Sequence, residues 1–160
     1  PPWMGGGDMI KRVSFQGSTW AEPPARFEAG TPNVGGVIGL GAAIDFLNEV
    51  DRTAAHAHEI SLLEHATEEL LKIDTLRIIG TAPNKASVIS FVIDGAHPQD
   101  IGTLLDMRGI ATRTGHHCAE PLLSALNVTA TTRASFLFTN THAEIDLFVA
   151  ALNKTVKMLT

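Results

Sequence analysis

The chain has 160 residues, enough for one ordinary domain with a real apolar core. Its net charge of −5 gives no general attraction to nucleic acid or an anionic membrane, and no apolar run reaches the roughly 20 residues that span a bilayer. A single cysteine excludes an internal disulfide and fits a reducing, cytoplasmic setting.

Residues 1–33 read as loop-rich, with Gly5-Gly6-Gly7, Pro23-Pro24 and Gly30-Thr31-Pro32-Asn33; within the strand-like stretch from Ile10 to Trp20, only Arg12 to Phe15 stands out as a strand. The opening Pro-Pro without an initiator Met suggests the C-terminal part of a longer protein. A small-residue helix is expected from Gly36 to Glu49, its glycines implying close packing on other backbone, because glycine otherwise costs about 1 kcal/mol per helical site. Asp51 is placed to cap a second helix over 53–72, with Ile60, Leu63, Leu70 and Leu71 as its apolar stripe. Its histidines, His56, His58 and His65, are expected at solvent-exposed positions.

Leu76 to Gly80 and Ala86 to Ile93 are β-rich and separated by a Pro-Asn turn, which predicts two antiparallel strands. Pro98 opens a third helix that Gly109 ends. A short strand from Ile110 to Arg113, a short helix from Pro121 to Leu126 and a last strand from Thr132 to Phe138 follow. Thr141-His142-Ala143-Glu144 matches a capping box, and Ile145, Phe148, Val149, Leu152 and Val156 mark the inner face of a C-terminal helix. The expected fold class is α+β: a small sheet with helices packed on one side, over 51–160, preceded by loops and a helix over 1–50.

The densest chemistry lies in Arg113-Thr114-Gly115-His116-His117-Cys118-Ala119-Glu120-Pro121. A thiol beside imidazoles and a guanidinium is in a setting that favours the thiolate, the nucleophilic form. The plain alternative is a buried, inert cysteine acting as a small hydrophobe. No second cysteine and no zinc-ligand spacing surrounds it, so no metal is expected. A cysteine protease would need a separate base histidine, and no protease signature surrounds the thiol. Arg133 falls in a run expected to be a buried strand and therefore needs an anionic partner. Either it pairs with one of the chain's own carboxylates, or its fork holds a substrate carboxylate. The Gly30-Thr31-Pro32 turn before a helix offers the materials of an anion site, although a plain loop explains it equally well.

Taken together, Arg113-Thr-Gly-His-His-Cys118-Ala-x-Pro121, Arg133-Ala-Ser, the Asn140-Thr141 step, Phe27-Glu28-Ala29-Gly30-Thr31-Pro32-Asn33 and the Pro1-Pro2-Trp3-x-Gly5-Gly6-Gly7 segment resemble, in order, the C-terminal part of the SUF-type (class II) cysteine desulfurases. These are pyridoxal-phosphate enzymes of the fold-type I aminotransferase superfamily. The resemblance implies that 1–50 is the end of the large cofactor-binding domain and that 51–160 is the small domain. It implies that Cys118 attacks the sulfur of L-cysteine and becomes a persulfide, leaving L-alanine. Arg133 would clamp the substrate carboxylate, Arg113 would line the site and help keep the thiolate, and Thr31 would reach across a homodimer interface to a cofactor phosphate. The persulfide sulfur would pass to an acceptor protein for iron–sulfur cluster assembly.

None of Lys11, Lys72, Lys85, Lys154 and Lys157 stands in the family's Schiff-base context, so this stretch by itself is expected to be inactive. Glu120 departs locally from the family pattern and brings a negative charge towards the thiol. Rival expectations are a selenocysteine lyase or sulfinate-releasing relative, a non-catalytic partner-binding module, and a thiol-based sensor.

Overall fold

A computed structural model describes residues 1–160, which divide into two compact units, Pro1–Val50 and Asp51–Thr160. In the first, β1 (Ile10–Ser14) and β2 (Gly17–Trp20) form an antiparallel hairpin. Gly17, at φ +141°, makes the tight return possible, and Ser14 Oγ donates to its carbonyl at 2.9 Å. β2 falls within the strand-like stretch but is not separated from it by the sequence reading, because the turn at Gly17 that divides the hairpin goes unrecognised there.

After a 3-10 turn at Ala25–Phe27 comes α1 (Val34–Glu49), capped by Asn33, whose side chain accepts from Gly36 N at 3.0 Å. No residue of α1 is buried, and Val37, Ile38, Leu40, Ile44 and Phe46 are all exposed. The close backbone packing expected at its glycines is not made within this chain: a Cβ at Gly35, Gly39 or Gly41 would meet nothing within 4 Å. A helix apolar on every side belongs in the interior of something larger.

The second unit contains α2 (Arg52–Leu70), β3 (Leu76–Ile79), β4 (Val88–Ile93), α3 (Pro98–Asp106), β5 (Arg113–Gly115), α4 (Glu120–Ala125), β6 (Thr131–Ser135) and α5 (His142–Leu159). The four strands form one antiparallel sheet in the order β3-β4-β6-β5. Alternation decides its faces. Ile89, Phe91 and Ile93 on β4 are buried, and the register sets Ile89 opposite Ala134 and Phe91 opposite Thr132. This face joins Leu62, Leu70, Ile101, Leu105, Phe148 and Leu152 in the core, with the Phe91 and Phe148 rings 6.3 Å apart. The sheet-and-helix α+β arrangement therefore holds as expected.

Details differ. Leu71 is exposed and Ile60 only half-buried, while Leu62 and Ala66 are buried, because α2 ends at Leu70 and turns its inner face through 62, 63, 66 and 70. Two of the α2 histidines are not free surface residues. His58 Nε2 lies 2.8 Å from the Asn140 carbonyl and His65 Nε2 lies 2.7 Å from Asp146 Oδ1, both along the seam with α5. β5 begins at Arg113 rather than Ile110, since Ile110 N–H closes α3 by donating to the Leu105 carbonyl at 3.1 Å beside Gly109 at φ +76°. β6 stops at Ser135; Leu137 N–H then donates to Asn140 Oδ1 at 2.9 Å, starting the turn into α5. The capping box at Thr141 and Glu144 is formed, and all five residues expected on the inner face of α5 are buried.

Candidate active site

The sheet's other face carries the site. Period-two alternation places Thr131 and Arg133 of β6 on the side opposite the core, and the register sets Arg133 between Ser90 of β4 and Arg113 of β5. Two guanidinium-bearing residues are therefore direct cross-strand neighbours. Like charges so placed repel, at about 0.2–1 kcal/mol. None of the chain's ion pairs includes either arginine, and Arg133 Nε is buried without a hydrogen-bond partner. That excludes the structural ion pair weighed above for Arg133. An unsatisfied donor beside an unneutralised pair of cations is chemistry that an anion would satisfy, and a carboxylate's two oxygens match the geometry of the fork.

β5 leaves the ladder at Gly115, where φ is +114°. The chain then makes a tight turn from His116 to Ala119, closed by Ala119 N–H donating to the His116 carbonyl at 2.9 Å. Both central residues, His117 (φ 54°) and Cys118 (φ 57°), are left-handed. Positive φ at both positions defines a primed turn, ordinarily the place of Asn and Gly. A cysteine there carries backbone strain, which clusters at functional sites. The turn sets the Cys118 thiol in solvent; the thiol is exposed, and the buried, inert cysteine is excluded.

His117 turns back to the sheet. Its Nε2 lies 2.8 Å from Thr131 Oγ1 and 3.3 Å from the Thr131 carbonyl, while Nδ1 is buried without a partner. Burial, and then the charge of Arg133, hold the imidazole below its usual pKa; the hydrogen bond to Thr131 opposes both. A neutral ring donating from Nε2, with its Nδ1 lone pair left bare, satisfies this geometry.

His116 and Glu120 point elsewhere, lining an open cavity of about 280 Å³ with Leu123, Ser124 and Asn127. A larger cavity of about 650 Å³ between Arg108–Thr112 and α5 includes none of Cys118, Arg113 and Arg133, so its size does not make it the reacting site. Thr31 belongs to the first unit, where it is exposed, next to Gly30 at φ +91° and two residues before the Asn33 cap of α1.

Sequence reasoning singled out Cys118, Arg113 and Arg133 and passed over Thr131, which the structure places on the same face as Arg133. One signal was available: Thr131 stands two residues before Arg133 and so shares its face in any strand.

This α+β fold, with an exposed thiol on a left-handed turn, is that of the C-terminal region of type I aminotransferase-like enzymes. Residues 1–148 match the family described as Aminotransferase class-V, and the chain belongs to that family. It is 55% identical over 159 residues to a probable cysteine desulfurase of Xylella fastidiosa, covering 99% of this chain and 38% of that protein. The crystal structure of the cysteine desulfurase CsdA from Escherichia coli superposes with a TM-score of 0.85 at 42% identity, covering 99% of this chain and 39% of that one. The apo cysteine desulfurase from Thermococcus onnurineus NA1 gives a TM-score of 0.83 at 38% identity, covering 99% and 40%. The chain thus spans about two-fifths of the length of the relatives it matches.

Proposed function

We propose that this chain is the C-terminal part of a pyridoxal-phosphate-dependent cysteine desulfurase of the SUF type. Residues 1–50 form the end of its cofactor-binding domain and 51–160 its small domain. The carrying observation is the exposed Cys118 in a strained turn, anchored over a sheet face with two unneutralised arginines. Arg133, with Arg113 beside it, takes the carboxylate of L-cysteine; this removes the like-charge conflict and gives the Nε donor a partner. The Cys118 thiolate then attacks the substrate sulfur: one S–S bond forms, and the C–S bond breaks with its electron pair going to the substrate carbon. That carbon takes up a proton, and the products are L-alanine and the Cys118 persulfide.

Pyridoxal phosphate supplies the electron sink that makes the C–S bond breakable. The part of the site that would hold it in this chain is small. The exposed Thr31 hydroxyl, beside the N-terminus of a 16-residue helix, has donor chemistry suited to a phosphate oxygen, and we assign it to the phosphate of a partner's cofactor in a homodimer. The Schiff-base lysine comes from the rest of the protein, as does the surface that covers α1.

A sulfur-acceptor protein then takes the terminal sulfur from a thiol already facing solvent. No helix is long and apolar enough to cross a membrane. In the full-length protein supplied with L-cysteine, alanine is expected in step with a 32-Da sulfur adduct on Cys118 (one sulfur atom, roughly). Cys118→Ala should lose transfer to any thiol acceptor. A Cys118→Ala protein that still delivers sulfur at the wild-type rate would remove the thiol from the reaction. Turnover of selenocysteine with none of cysteine would favour the selenocysteine lyase reading.

A further inference from the structure

We infer that Thr131 is a positioning residue for the Cys118 thiol, acting through His117; the inference rests on the desulfurase reading for its kinetic consequence, but not for its structural one. Thr131 lies on the face of β6 turned away from the core, where a residue would ordinarily be wet, yet it is only 1% exposed. Its partner in the ladder is Gly115, which has no side chain to cover it. The cover includes the His117 ring, whose Nε2 meets Thr131 Oγ1 at 2.8 Å.

This contact spans the turn. His117 is one of two successive left-handed residues, and neither is a glycine. Left to itself, such a turn relaxes towards ordinary backbone, carrying the neighbouring thiol with it. Within the turn, a single backbone hydrogen bond, from Ala119 N–H to the His116 carbonyl, resists that relaxation. The second tie is the His117–Thr131 contact, and it fastens the turn to β6 two residues from Arg133. A hydroxyl at 131 therefore sets where Cys118 stands relative to the arginine pair. The threonyl carbonyl, at 3.3 Å, is a weaker tie that any residue at 131 retains.

The test uses the full-length enzyme carrying Thr131→Val, which keeps shape and loses the hydroxyl, and Thr131→Ser, which restores it. Amide hydrogen exchange over 115–119 should quicken about fivefold in Thr131→Val, the order of one neutral hydrogen bond lost from a folded loop, and return in Thr131→Ser. The kcat for alanine formation should fall about fivefold to tenfold with KM for L-cysteine within about twofold, because binding by Arg133 is untouched. If Thr131→Val does not fold, His117→Leu, which has no donor, breaks the same tie from the loop side and should give the same exchange result.

Unchanged exchange over 115–119 in the folded variant overturns the inference. So does quickened exchange with wild-type kcat, which would make the tie irrelevant to the thiol's work. Quickened exchange in a protein whose wild type forms no alanine leaves the tie standing and sinks the desulfurase reading instead.

Discussion

Replacing Arg133 with methionine separates a structural arginine from a functional one, because the two roles give opposite signs. Arg133 sits opposite Arg113, forms no ion pair and leaves Nε buried without an acceptor. An unsatisfied buried donor costs about 1–3 kcal/mol, and a like-charge cross-strand pair about 0.2–1 kcal/mol. Methionine keeps an unbranched stem of similar reach, so little packing is lost. Arg133→Met should therefore stabilise the unliganded full-length protein by about 1–2 kcal/mol in urea denaturation. The same change removes the charge-assisted fork, and the KM for L-cysteine should rise about 10–100-fold, the equivalent of about 1.5–3 kcal/mol. A protein made more stable and less able to bind is the mark of a residue kept for its ligand. Loss of stability by 1 kcal/mol or more, with KM unchanged, would refute the reasoning and make Arg133 a structural residue.

The His117 imidazole gives a pH dependence of known sign. Its pKa is lowered in the folded protein, so the unfolded chain binds a proton from about pH 6.5 downward while the folded chain does not. Stability is thus full above about pH 6.5 and falls as the pH drops towards the folded value; urea denaturation between pH 8 and pH 5 should show a larger loss for wild type than for His117→Gln. In the core, Phe91 has no exposed surface and faces Phe148 at 6.3 Å. Phe91→Ala should cost about 3–5 kcal/mol by the same denaturation measurement, and a cost below about 1 kcal/mol would mean that the sheet does not pack as described.

Local chemistry made much of this protein legible from its residues. Helix caps are short-range devices, so Asp51, Thr141 with Glu144, and the Pro98 and Gly109 boundaries could be read directly. The β-rich run over 86–93 announced a strand, while burial of Ile89, Phe91 and Ile93 was decided by packing. Elements whose signal lies in distant partners were read poorly. β5 is three residues long and begins where β6 offers partners rather than where its own residues favour a strand. β2 exists because a glycine turn folds it onto β1. α1 announced its helix but not its exposure: none of its residues is buried, so the close packing its glycines suggested is not seen.

The same division runs through the site. A nine-residue stretch was enough to single out Cys118 and the cations near it, because thiol, imidazole and guanidinium are recognisable by kind. Only the tertiary structure decided that Arg113 and Arg133, twenty residues apart, stand side by side with no carboxylate between them. It alone decided that Cys118 occupies a left-handed turn, and that Thr131 holds His117 to the sheet. The reason is physical: residue type fixes what a group can do, but charge repulsion, orphaned donors and backbone strain exist only once pairing and register bring particular atoms together.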